Sequence, residues 1–332
     1  MHIYIDESGT FTGQNNISAV GALIIPDRSV SGFSKLYSRL RSHLPKRNGE
    51  VKGSGLDEKQ IKDLVAMLKA LGCVFEFVGF DSAFTSEVDV IDHQKAQAQK
   101  MTENLTNKHH STLVKEVWRL REQLERTSPQ LYVQAVAMAE LVYNAIFNAD
   151  IYFAYRFPQE LGEYHWIVDA KDRNKTTDWE KWWAATIMPL LESKSARSPF
   201  VRVEGGDYRW QDRFKAEPDD YKKVVLGVTE DFEVFDLRPV MEEDFRFSWE
   251  PEFGLEAVDI LTNATRRALR GNLQREGWLP IRELMMHRKD HYIRLITLSK
   301  GDELPPKVSY SNVLADFSTG GREMLPPLDS HV

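Results

Sequence analysis

One cysteine, Cys73, stands in 332 residues, so an intramolecular disulfide is impossible and a thiolate metal cluster is excluded. It lies in the apolar run Cys73-Val74-Phe75 and reads as core. No apolar stretch approaches the roughly 20 residues needed to cross a bilayer, and no charged-then-apolar leader precedes the strand-like run that begins at Met1. A cytoplasmic protein with no membrane partner is expected. The nine histidines form no HExxH or comparable zinc spacing. A GxxxxGKS/T loop, a GxSxG elbow and a GxGxxG turn opening a helix are also absent, so triphosphatase, serine-hydrolase and dinucleotide-binding chemistries lose their usual support.

What is present describes a folded chain. Hydrophobic residues make up 42% and charged residues 28%, near the averages for globular proteins and away from the disordered class. A net charge of −7 argues against bulk electrostatic coating of nucleic acid, but it leaves room for a local basic groove beside an acidic metal site.

The alternating run His2 to Asp6, a turn region from Glu7 to Asn16 and the run Ile17 to Ile25 predict two paired strands closed by Pro26. Helical spacing follows over 30–44, then a short strand-like segment around Val51. Asp57 is placed to cap a helix whose apolar face is Ile61, Leu64, Val65, Leu68 and Leu71, and Gly72 ends it before a strand over Cys73 to Phe80. The order so far is ββαβαβ.

Residues 86–150 turn polar and helical and read as an insertion, with Pro129 opening a helix to about Phe147. Strand character returns at Ile151 to Tyr155 and at Tyr164 to Val168. Asp178 is a candidate cap for a helix carrying Trp179, Trp182 and Trp183, whose indoles read as packing, and Phe200 to Val203 reads as a strand. Between 205 and 253 only short strands near Val224 to Val228 and Phe232 to Leu237 are discernible. A strong helix over Leu255 to Leu273, a helical piece at Ile281 to Met286 and a strand near Tyr292 to Leu298 complete one domain over 1–300. The remainder, 301–332, reads as an extended tail.

Carboxylates stand at three revealing places. Tyr4-Ile5-Asp6-Glu7-Ser8-Gly9 delivers two acids at the end of an apolar strand, of which only one faces a given pocket, because side chains alternate. The run Tyr164 to Val168 likewise ends at Asp169, followed by Lys171 and Asp172, and strand ends are where open α/β sheets place ligands. Asp259 interrupts the apolar helical stretch Leu255 to Leu261, where a buried carboxylate needs a cation. Asn263, Arg266 and Arg270 share its helix face. Glu50 and Lys52 form a fourth, weaker acid-base pair. For each the plain alternative is a turn cap, a surface contact or a solvated charge. Asp and Glu oxygens suit Mg²⁺ or Mn²⁺, and two such ions serve phosphoryl transfer by stabilising both the attacking and the leaving oxygen.

These motifs resemble the DUF3800 family, whose members resemble the RNase H-like superfamily. The likeness runs through Tyr4-Ile5-Asp6-Glu7-Ser8-Gly9, Glu50-Val51-Lys52-Gly53-Ser54, the strand ending in Asp169 and Gly254-Leu255-Glu256-Ala257-Val258-Asp259. It covers most of 1–85 and 151–270. One departure is that relatives tend to read Leu-Gln-Leu-Ala-Asp before the helix acid, where this chain has Glu256, Ala257 and Val258.

The resemblance implies an α/β fold with a mixed sheet, helices on both faces and a helical insertion. It also implies a nuclease cleaving DNA or RNA phosphodiesters with two Mg²⁺ or Mn²⁺ ions. Asp6, Asp169 and Asp259 would be its ligands, Glu50 would assist, and Glu7 and Asp172 are secondary candidates. Lys52, Lys171, Arg266 and Arg270 are the expected phosphate contacts. Two alternatives stay open: a catalytically silent scaffold binding nucleic acid or a protein through the insertion or tail, within a defence or toxin system, and a phosphoesterase acting on nucleotides.

Overall fold

The computed structural model describes residues 1–11, 16–103, 105–106, 110–172, 177–217, 233–299 and 308–326. The expected strand Val224 to Val228 lies outside them, as do Phe232, part of the tail and the side chains of Asp178 and Trp182.

In chain order the strands are β1 (His2–Ser8), β2 (Ile17–Ile25), β3 (Val74–Asp81), β4 (His165–Asp169), β5 (Lys215–Ala216), β6 (Val234–Phe235), β7 (Phe245–Ser248) and β8 (Arg294–Ile296). Six of them form a mixed sheet in the order β7-β4-β1-β2-β3-β8, and β5 and β6 pair separately. As expected, β1 and β2 are antiparallel. β4 runs parallel to β1, with His2 opposite His165 and Ile5 opposite Val168, and β7 runs parallel to β4, with Asp169 opposite Ser248.

The helices are α1 (Asp27–Arg41), α2 (Glu58–Ala70), α3 (Glu87–Glu103), α4 (Ser111–Arg126), α5 (Pro129–Ala154), α6 (Asp178–Arg197), α7 (Leu237–Glu242), α8 (Phe253–Leu269), α9 (Arg275–Trp278) and α10 (Ser311–Asp316). They cover both faces of the sheet. On one face Met1, just before β1, Ile3 and Ile5 of β1, and Trp166 and Val168 of β4 meet α5 and α6. On the other, Tyr4, Leu23 and Ile167 meet α1, α2 and α8. Strand alternation therefore sends Asp6 and Asp169, each two residues beyond a side chain of the second face, toward α8. Among the described residues no helix is long and apolar enough to cross a membrane.

Several expectations are corrected. Ile151 to Tyr155 is no strand: all but Tyr155 belong to α5, which is buried almost all round, and a short apolar run does not reveal whether its period is two or 3.6. α5 lines the core beside β2 and β3, so of the helical stretch 86–150 only α3 and α4 stand outside that layer. Phe200 to Val203 forms no strand; Phe200 instead packs on Tyr143, Phe147 and Phe235. The segment around Val51 is a turn and a 3-10 helix, Gly53–Gly55, so the third strand of the expected order is missing. Thr177, not Asp178, caps α6, with the Glu180 carboxylate accepting from its backbone N–H and hydroxyl. The tail is not wholly extended: α10 lies within it, and Phe317 beyond it stacks on Trp278 in the core.

Candidate metal centre

The three aspartates singled out in the sequence meet at one end of the sheet. Asp6 and Asp169 emerge side by side from the C-terminal ends of the parallel strands β1 and β4. α8 crosses this face closely because β2 offers Gly21 beneath it; a Cβ there would lie 2.0 Å from the Thr262 hydroxyl. That approach brings Asp259 down onto Asp6.

The acids perturb one another. Burial first, then the charges of Asp259 and Asp169, hold the Asp6 carboxyl well above the usual carboxylate range, against opposing effects of the Glu7 backbone N–H and Lys171. Burial also raises Asp259, opposed by the Gly53 N–H, by Lys52 and by a hydrogen bond with Asp6, and Glu50 adds upward pressure. Asp169 is raised by burial, with Lys171 and Lys52 opposing and Glu7 and Asp259 reinforcing. The directions agree with one another: Asp6 and Asp259 share a hydrogen bond, and burial among like charges disfavours ionising all three carboxyls together.

Asp259 is steered by the backbone of the 50s turn. Gly53 donates its N–H to Asp259 Oδ2 at 2.8 Å. Only glycine allows this approach, since a Cβ at Gly53 would stand 2.7 Å from the Ile260 Cα. The turn is tied to the helix a second time. Glu256, buried one helical turn before Asp259, accepts both Arg41 Nε and Nη2 at 2.6 Å, Tyr37 Oη at 3.2 Å and the Val51 N–H at 3.2 Å. Arg267 adds hydrogen bonds to the Gly53 and Leu56 carbonyls.

The remaining candidates are distributed unevenly. Lys52 pairs with Glu50 at 2.7 Å, and both are substantially exposed at the rim, where Lys52 acts electrostatically on Asp259 and Asp169. Glu7 faces the α5 side, as strand alternation requires, where Gln134 and Lys171 both reach its carboxylate. Lys171 thus neutralises Glu7 while still acting on Asp6 and Asp169. Asp172 is half-buried in the turn beyond β4, without a place among the main charges acting on the three aspartates. Arg266 donates to the Ile17 carbonyl and to Asn16, and approaches the Ser8 hydroxyl at 3.5 Å. Arg270 is exposed at the end of α8.

Several contributors went unrecognised in the sequence. The Arg41–Glu256 clamp had one signal, a glutamate on the apolar stretch that also carries Asp259. Asn263 was placed on the Asp259 helix face by the sequence, which did not reveal that its Oδ1 is buried without a hydrogen-bond partner among the described residues. Trp249, 46% exposed, directly follows the strand residue paired with Asp169; its signal was an aromatic in the segment that resisted assignment.

The aspartates do not close on a single point. Among the described residues, three metal-ligating side chains whose donor atoms all lie within 4.8 Å of one another occur at His2, Asp27 and His165, and not at this cluster. Comparison of the chain with protein-family models, with curated proteins and with solved structures gave no match.

Proposed function

We propose that the protein is a nuclease of RNase H-like type, hydrolysing DNA or RNA phosphodiesters with two Mg²⁺ or Mn²⁺ ions at Asp6, Asp169 and Asp259. The observation that carries this reading is the set of three largely buried carboxylates, delivered by two parallel strand ends and one helix, each with its pKa driven upward by burial and by neighbouring acids. Such an arrangement is unfavourable without compensating cations, and none of the nearby lysines is buried with it.

The donor set fits hard divalent ions, being oxygen throughout, with the orphaned Asn263 Oδ1 at its edge. A spread wider than single-ion chelation suits two ions, with Asp6 between Asp169 and Asp259. Bound there, such ions would supply charge stabilisation for the attacking and leaving oxygens. The chain's own residues do the rest. Gly53 and the Arg41–Glu256 clamp fix Asp259, Lys171 neutralises Glu7, and the exposed Lys52 and Arg270 offer phosphate contacts, with Arg266 held by the Ile17 carbonyl and Asn16. The motif resemblance to DUF3800 supports the same assignment.

The test is cleavage of single-stranded and duplex DNA and RNA oligonucleotides with Mn²⁺. Asp6→Asn is expected to lower the rate by about 1,000-fold or more, the scale on which one preorganised charged group acts, while circular dichroism shows an intact fold. Cleavage at the parent rate by the folded variant, or none by the parent on any of these substrates, contradicts the reading.

A further inference from the structure

The opposite end of the β1/β4 pair carries a cluster of different chemistry. His2 and His165 stand directly across from each other in the strand register, on the same sheet face as Asp6 and Asp169. Their rings stack with centroids 4.4 Å apart and planes 26° from parallel. Asp27, the first residue of α1, brings Oδ1 to 3.0 Å from His2 Nδ1. One donor atom from each of the three lies within 4.8 Å of the other two. The site is open at its edge, with side-chain exposures of 28% for His2, 23% for His165 and 39% for Asp27.

The surroundings resemble a ligand shell more than a chance pairing. The Asp244 carboxylate stands at His165 Nδ1, the outer-shell partner that a metal-bound imidazole ordinarily has, with Nε2 on the far side of the ring. The Glu163 carboxylate stands 3.6 Å from that Nε2. Met1 and Glu160 complete the charge environment: the Met1 amino group lies 2.9 Å from Asp27 Oδ2 and 3.6 Å from Glu160 Oε2. Two imidazoles with a carboxylate select borderline first-row ions such as Zn²⁺, Co²⁺ or Ni²⁺, whereas Mg²⁺ prefers oxygen alone.

We infer that His2, Asp27 and His165 form a second metal site, specific for a zinc-like transition-metal ion and separate from the aspartate cluster. Four residue steps along β1 lead from His2 to Asp6, about 13 Å at the usual rise. The inference does not depend on nuclease activity.

Full-length protein without a histidine tag, carrying Asp6→Asn to weaken ion binding at the aspartates, is titrated with Zn²⁺ by calorimetry and with Co²⁺ by visible absorption. One ion per chain and the absorption of nitrogen-ligated Co²⁺ are expected, both lost in His165→Gln and in His2→Gln. Asp244→Asn, a change at a surface carboxylate that need not disturb folding, is expected to weaken Zn²⁺ binding by about 10–100-fold. Absence of Zn²⁺ binding by the parent overturns the site, as does parental affinity in any of these three variants that folds.

Discussion

The two ends of the β1/β4 pair differ in what surrounds the same carboxylate group. At one end Asp6 faces Asp169 and Asp259, and burial with like charge pushes its pKa up. At the other, burial also works to raise Asp27, yet hydrogen bonds from His2 and the Met1 amine bring it down to about 2. The pattern is written with the same spacing in both strands: His2 and Asp6 are four apart, as are His165 and Asp169, so each strand presents an imidazole and then a carboxylate on one face. The lesson is that burial alone does not set the direction of an acid's pKa; what separates these ends is whether the protein supplies its own cations. It does so for Asp27 and leaves Asp6, Asp169 and Asp259 with two rim lysines.

That contrast can be broken most severely by unfastening α8. Arg41→Ala leaves Glu256 buried without its guanidinium and is expected to cost about 3 kcal/mol, the lower end for breaking a buried pair because Arg41 is partly exposed; chemical denaturation measures it. A loss under about 1 kcal/mol would show that the clamp does not position Asp259.

Slightly smaller is the response to metal. Mn²⁺ at a hundredfold excess over its Kd should stabilise the protein by about 2.7 kcal/mol in thermal melts, and Asp6→Asn, Asp169→Asn and Asp259→Asn should each diminish the gain. The sign with pH sharpens the comparison. In metal-free protein these folded-state pKa values lie above the unfolded ones, so their contribution to stability is complete below about pH 4 and is lost as pH rises through the raised values. Asp27, lowered, contributes the opposite way: its stabilisation is present above about pH 4 and lost as pH falls toward 2. Without metal, Asp6→Asn should therefore gain stability relative to the parent as pH rises above about 4, whereas Asp27→Asn should lose it between about pH 2 and 4 and stay level above that. With Mn²⁺ the first difference should reverse. Parallel pH profiles for all three proteins would remove the distinction between the ends.

The smallest effect concerns the basic edge. Arg270→Ala, at an exposed position, should weaken nucleic-acid binding uniformly and lower the slope of log K against log salt by about 1; fluorescence anisotropy at several salt concentrations checks it.

Much of this was legible in the residues, and unevenly so. Asp6 and Asp169 stood out because each ends an apolar strand-like run, and Asp259 because it interrupts an apolar helical one, and those signals need no knowledge of the fold. The antiparallel start and the side on which Asp6 emerges followed from alternation. The 50s turn did not: Glu50 and Lys52 looked like strand neighbours, whereas the decisive atom there is a backbone N–H of Gly53, which no side-chain pattern reports. Ile151 to Tyr155 misled because a fully buried helix and a buried strand are both continuously apolar. The His2–His165 pairing was invisible for a different reason, since 163 positions separate the two and only the parallel register joins them.

The most direct measurement is anomalous diffraction from crystals soaked in Mn²⁺. Density is expected for two ions among the Asp6, Asp169 and Asp259 carboxylates. Full Mn²⁺ occupancy elsewhere, with none among these three side chains, would contradict the central claim.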